Sequence, residues 1–169
     1  MKVLGLAGWS GSGKTTLMVA LIPLLRRRGL TVSTIKHAHH RFDVDTPGKD
    51  SWRHRDAGAS EVMVASSQRF ALMHELRGAA EPTLDELLAR MTPVDLVLVE
   101  GFKREGHSKI EVHRAATGKP PLHPDDPAIV AVASDTPIEA GELPLLDLND
   151  AEAIAEFAAR FARRPGRAA

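Results

Sequence analysis

The chain alternates short apolar runs with longer polar or amphipathic stretches, and their order predicts its elements. Val3 to Ala7 is an apolar run of strand length, suited to burial on both faces. Thr15 to Arg28 has the composition of a helix, with Arg26, Arg27 and Arg28 at its negative end and Gly29 as its cap. Pro23 inside it predicts a kink around residues 19–23. Thr31 to Lys36 is a β-branched second strand, which completes a βαβ unit. His37 to Lys49 is too charged and too marked by proline and glycine to be core. Residues 50–57 then form a short helix, with Asp50 or Ser51 as cap and Gly58 as stop.

Further along, Glu61 to Ala65 and Arg69 to Met73 are short strands joined by Ser66-Ser67-Gln68, a hairpin or bent connection. Thr83 and Glu86 form a capping box opening a helix over Leu84–Met91. Val94 to Val99 is a uniformly apolar strand that stops at Glu100-Gly101. Lys109 to Arg114 alternates Ile110 and Val112 with charged or His neighbours, the pattern of a half-buried or edge strand. The edge would pair across a dimer interface or be covered by the proline-rich loop Lys119–Pro127. Ile129 to Ala133 is buried and ends at Ser134-Asp135. The last helix starts after Asn149, with Glu152 completing a second capping box, and runs to about Arg163. Strands alternating with helices predict a three-layer α/β fold with a mostly parallel sheet, right-handed crossovers and an antiparallel edge hairpin. One domain over residues 1–165 with a basic tail over 166–169 is expected.

Composition narrows the setting. Lys and Arg total 22 and balance 22 Asp and Glu, but the first half is basic and the second acidic, so the first half suits a polyanionic ligand. Cysteine is absent, which excludes disulfides and thiolate metal sites. No membrane-length apolar stretch or secretory segment is read, and a cytoplasmic protein without a membrane partner is expected. A solvated helix end accounts for Arg160 to Arg167. With no tyrosine in the chain and Phe161 the single aromatic among these arginines, no nucleic-acid partner is expected.

The chemistry begins at Gly8-Trp9-Ser10-Gly11-Ser12-Gly13-Lys14-Thr15, a complete phosphate-binding (Walker A) loop between the first strand and the first helix. Its glycines let backbone N–H groups turn onto phosphate oxygens, and the helix adds its positive end. Gly11, Ser12 and Gly13 would cradle a purine nucleoside triphosphate. Lys14 would reach the β- and γ-phosphates, the Thr15 hydroxyl would bind Mg²⁺, and Thr16 would cap the helix or pack near the α-phosphate. The fold is thereby that of a P-loop NTPase.

In such sheets, ligands lie beyond the carboxyl ends of the strands, where Lys36, Glu100 and Asp135 stand. Glu100 would hold Mg²⁺ through water or polarise an attacking water, against the alternative of a solvated strand end. Asp135 would accept hydrogen bonds from guanine or sit on a surface turn. Asp95, at the other end of its strand, is a poor ligand candidate. Lys36, His37, Asp43 and Asp45 would line the mouth of the site, while Lys49, Arg53 and Arg55 would extend a second-anion surface. The cluster His37, His39, His40, Asp43 and Asp45 lacks the fixed geometry of a transition-metal site. Arg41 and Arg69 are the arginines available to stabilise a transferring phosphoryl group.

Together, GWSGSGKTTL (8–17), IKHAHHRFDVDTPGKDSWRHRDAGA (35–59), SSQRFALM (66–73), VDLVLVEGFK (94–103) and, more weakly, AVASD (131–135) make the chain resemble the molybdopterin-guanine dinucleotide biosynthesis adapter family, MobB. The resemblance implies a dimeric, GTP-binding P-loop protein with weak GTPase activity. Its implied partners are the guanylyltransferase that attaches GMP to molybdopterin and the molybdenum-insertion protein. It also implies that Thr15 and Glu100 serve Mg²⁺, that Asp45 lies in a nearby switch-like loop, and that Asp135 falls beside the base. Lys14 and Glu100 would carry whatever catalysis occurs. From the residues alone, a small-molecule kinase with an anionic acceptor is the alternative.

Overall fold

In the computed structural model, which describes residues 1–38, 42–103 and 105–163, the described elements are β1 (Lys2–Ala7), α1 (Lys14–Arg27), β2 (Val32–Lys36), α2 (Asp50–Asp56), β3 (Glu61–Ala65), β4 (Phe70–His74), α3 (Leu84–Ala89), β5 (Leu96–Glu100), β6 (Lys109–His113), β7 (Ile129–Ser134), β8 (Leu145–Asp147) and α4 (Ala151–Arg163). Six strands form one sheet in the order β2-β5-β1-β6-β7-β8. Every neighbouring pair in it is parallel. The chain divides into two compact units, one of residues 1–37 with the segment from Thr92 onward, the other of residues 38–91.

The first unit contains the sheet. Alternate residues, among them Leu4, Leu6, Leu96, Leu98, Ile110, Val112, Ala131 and Ala133, point to one face and pack against α1 and α4. Leu17, Leu21, Leu24 and Leu25 of α1 and Ile154, Ala155 and Ala158 of α4 fill the space between sheet and helices. On the other face, Ile129 and Val132 pack with Ala140, Leu122, Ile138 and Leu143, all from irregular segments.

Strand β6 corrects the edge reading: it lies inside the sheet between β1 and β7, and all its residues are buried. Lys109 and Glu111 are hydrogen-bonded by the segments that precede and follow the strand. Lys109 Nζ donates to Glu105 O at 2.7 Å and to Asp126 Oδ2 at 3.0 Å. Glu111 accepts from Leu122 N at 2.6 Å and from His123 N at 2.9 Å, and lies 2.8 Å from His123 Nδ1. A buried charge is tolerated when paired and hydrogen-bonded, so the alternation marks a satisfied interior. The covering loop is the 119–127 segment, and nothing about β6 calls for a dimer.

Helix α1 runs continuously through Pro23. At α4, Asp150 Oδ1 accepts from Ala153 N at 2.9 Å, so the cap is Asp150 rather than Asn149. Glu152 instead pairs with Arg27 and Arg28 at 3.0 and 2.6 Å. Strand β8 has no counterpart among the sequence expectations.

In the second unit, β3 and β4 pair antiparallel as a separate two-stranded sheet. Helix α3 carries the full Thr83–Glu86 capping box. Helix α2 is preceded by Lys49, with no side-chain cap, so neither Asp50 nor Ser51 caps it. His39, His40 and Arg41 lie outside the described residues, as does the 166–169 tail.

Candidate functional site

The loop joining β1 to α1 bends where only glycine fits. A Cβ on Gly8 would lie 2.5 Å from the Val112 carbonyl oxygen and 2.7 Å from Ser12 Oγ. Gly13, the residue before α1, has φ of 95° in the left-handed region. The first turn of α1 has neither an acidic residue nor a side-chain cap. Its N–H groups and the positive end of its dipole are therefore available to an anion.

Lys14 is held over this loop, its Nζ donating to Gly8 O at 3.0 Å and Trp9 O at 2.8 Å. Partial burial lowers its pKa, opposed by the nearby Glu100 and reinforced by Lys103 and Lys36. Sheet register sets the acid beside the loop: Glu100 stands opposite Leu6 of β1 and opposite Lys36 of β2. Thr15 Oγ1 donates to Glu100 Oε1 at 2.8 Å, while Lys36 Nζ is 3.9 Å from Oε2.

Beyond Glu100 the backbone is tight. A Cβ on Gly101, at φ of 99°, would lie 2.6 Å from His37 Cβ. Phe102 follows at φ of 50°, its ring 4.7 Å from the His37 imidazole. A phenylalanine in the left-handed region is strained, and packing on His37 accompanies that conformation.

A hydroxyl and a carboxylate side by side below an anion-binding loop suit Mg²⁺, a hard cation that takes few protein oxygens and completes its shell with phosphate oxygens and water. Thr15 and Glu100 are the residues that would hold it. No group of three or more His, Asp or Glu side chains arranged to hold a metal occurs among the described residues. Asp45 lies in the second unit, where Arg55 binds it at 2.8 Å together with Asp43 at 2.7 Å and Glu75 at 3.2 Å. These three carboxylates raise the Arg55 pKa, the Asp45 hydrogen bond most of all. Arg55 is thereby committed internally rather than offered to a second anion.

Asp135 directly follows β7 and is tied to the phosphate loop by Arg114, which the sequence reading missed. Arg114 Nε donates to Ser12 O at 3.3 Å and Nη1 to Asp135 Oδ2 at 3.4 Å. Asp135 Oδ1 accepts from Ala115 N at 2.9 Å. The signal was present, since Arg114 is a charged residue just past a buried strand, but it was counted as part of that strand. Asp95 sits at the other end of β5, accepting from Thr31 N and Oγ1 at 2.8 and 2.6 Å.

The family model for molybdopterin guanine dinucleotide synthesis protein B, MobB, matches residues 3–135. The molybdopterin-guanine dinucleotide biosynthesis adapter protein of Escherichia coli (strain K12) is 46% identical over 165 residues, spanning 96% of this chain and 94% of that one. Its counterpart in Haemophilus influenzae is 47% identical over 158 residues, spanning 92% and 86%. A crystal structure of molybdopterin-guanine biosynthesis protein B shares the fold with a TM-score of 0.78 and 32% identity, covering 96% of this chain and 99% of that one.

Proposed function

The chain belongs to the MobB family, and from that premise we propose that it is a GTP-binding adapter in molybdopterin guanine dinucleotide biosynthesis. It holds GTP with Mg²⁺ on the Gly8–Thr15 loop and assists the guanylyltransferase that joins GMP to molybdopterin, with the molybdenum-insertion protein as a second partner in the cytoplasm. The observation that carries this reading is the Thr15–Glu100 contact of 2.8 Å beneath an uncapped helix end. It supplies the two oxygen ligands that a nucleotide-bound Mg²⁺ needs from protein.

Gly11, Ser12, Gly13 and Thr16 contribute backbone donors to the phosphates, and Lys14 turns from the loop carbonyls to the β- and γ-oxygens. Lys36 balances the charge beside Glu100. Asp135 keeps lone pairs for the guanine N1–H and 2-amino group, since Arg114 holds its Oδ2 only at 3.4 Å. Rapid hydrolysis needs a cation free to meet the charge that develops on the transferring phosphoryl group. Arg114 is engaged with Ser12 O and Asp135, which favours slow turnover.

A homodimer is supported by the second unit. A lone two-stranded sheet is marginally stable, and Met63, Phe70 and Leu72, which share one face of it, are exposed, an apolar surface that a partner would cover. No helix among the described residues is long and apolar enough to cross a membrane.

The adapter role is tested by reconstitution: purified guanylyltransferase and molybdopterin cofactor at limiting GTP, with and without this chain. Faster formation of the dinucleotide and co-elution with the transferase are expected. Neither effect, from a chain that binds GTP normally, would overturn the adapter role.

A further inference from the structure

Strand β8 ends the sheet, with β7 on one side and no strand on the other among the described residues. Val132 N donates to Pro144 O and Leu148 N to Ser134 O, each at 2.9 Å. Alternate residues of a strand bond to the same neighbour, so the peptide N–H and C=O of Leu145 point away from β7. Beside this open edge a groove of about 340 Å³ runs between β8 and α4. Pro144, Leu146, Phe157 and Phe161 line it, with the Glu156–Arg160 ion pair at its exposed margin. The surroundings are acidic: from Pro120 to Ala159 the chain carries nine Asp and Glu and neither Lys nor Arg. Asp126, Asp135, Glu152 and Glu156 are paired with cations. The others have no ion-pair partner among the described residues, and two of them, Glu142 and Asp147, are exposed at the two ends of β8. None of the groove's residues belongs to the nucleotide site.

We propose that the β8 edge and this groove dock an extended, basic segment of another protein, added to the sheet as a further strand. The backbone of such a segment bonds to the outward groups of Leu145, and its apolar side chains on the α4 side enter the groove over Phe157 and Phe161. Its alternate side chains fall on the face of Leu145 and Asp147, where Lys or Arg meets unpaired carboxylates. A second copy of this chain fits less well. Pairing two β8 edges sets the acidic surface against itself, and like charges opposed across strands are destabilising. Strand β8 is three residues long, so its few backbone bonds contribute little, and the groove and the charges carry the selectivity. The proposal is independent of what the phosphate loop binds.

The test is a nuclear magnetic resonance titration of the full chain with a short peptide of alternating Lys and Val, blocked at both ends, against the same peptide with Glu for Lys. Shifts at the Leu145 amide and at the Phe157 and Phe161 rings are expected for the Lys peptide, with a Kd of about 10–100 μM that rises with salt. No binding of the Glu peptide is expected. Leu145→Pro removes an outward N–H without touching a bond to β7, and Phe161→Ala empties one wall of the groove; each should weaken binding about tenfold. Glu142→Lys, on an exposed turn that leaves the fold untouched, should weaken it about threefold or more. Absence of shifts at Leu145, or equal binding of the Glu peptide, overturns the proposal. Binding indifferent to all three substitutions also overturns it, by reducing the surface to diffuse charge. Leu145 shifts that grow with protein concentration in the absence of peptide overturn it too, because the edge would then belong to a second copy.

Discussion

Thr15 and Glu100 meet across 2.8 Å although 85 residues separate them in the chain. The parallel pairing of β5 with β1 produces this meeting, since the register that sets Glu100 opposite Leu6 carries the carboxylate to the mouth of the phosphate loop. The two oxygens are adjacent in the fold, so Mg²⁺ would take the place of their hydrogen bond.

Glu100→Gln keeps the shape and the hydrogen bond to Thr15 but removes the charge. Mg²⁺-dependent enhancement of nucleotide binding should fall about tenfold, the order of one charge-assisted contact, with an unchanged melting temperature. Calorimetry with and without Mg²⁺ checks this, and an unaltered Mg²⁺ dependence would remove Glu100 from the site.

Lys14 must be charged to hold a triphosphate, and burial lowers its pKa from the ordinary 10.5. The charged form is therefore lost at a lower pH than for a solvated lysine. Triphosphate affinity should decline with rising alkaline pH, starting below 10.5, because proton uptake then accompanies binding. Lys14→Arg should flatten that decline, and Lys14→Ala should lower affinity at neutral pH by about ten- to a hundredfold. An affinity that is flat with pH in the unmodified chain would show that Lys14 does not carry the contact.

His107 places both ring nitrogens in the interior without a hydrogen-bond partner among the described residues, its Nε2 2.5 Å from where a Gly5 Cβ would stand. Burial lowers its pKa from 6.5, and the Lys109 charge lowers it further. The folded state thus resists protonation that the unfolded chain accepts. The stability associated with neutral His107 is complete above pH 6.5 and is lost as pH falls below it. Thermal melts at pH 7.5 and 5.5 should differ less in His107→Gln, and an equal acid sensitivity would contradict the assignment.

Glu111→Ala would leave two backbone amides and the His123 ring without their buried acceptor. A loss of about 3–5 kcal/mol is expected from breaking such a buried pair, read as a shift of the denaturation midpoint. A change below about 1 kcal/mol, typical of a surface substitution, would contradict the interior placement of β6.

Much of this was legible because each cue is local. Val3–Ala7, the Gly8–Thr15 loop and the Thr83–Glu86 capping box are contiguous in the chain and formed where their patterns placed them. Glu100 could be singled out because a buried run stops at a charge. Strand β6 was misread because the partners that neutralise Lys109 and Glu111 lie in the following loop, and no periodicity encodes them. Arg114 was missed for a related reason: its importance comes from Ser12 and Asp135, distant in sequence and adjacent only in the sheet. The α4 cap slipped by one residue because Asn149 and Asp150 are both good caps and only the bond to Ala153 decides between them.

The most direct measurement is calorimetric titration of GTP and of ATP into the unmodified chain, each with and without Mg²⁺. GTP should bind at least about tenfold more tightly than ATP, a difference of about 1.4 kcal/mol, and its affinity should depend on Mg²⁺. Equal affinities for the two nucleotides, or GTP binding indifferent to Mg²⁺, would contradict a GTP grip built on the phosphate loop, Thr15 and Glu100.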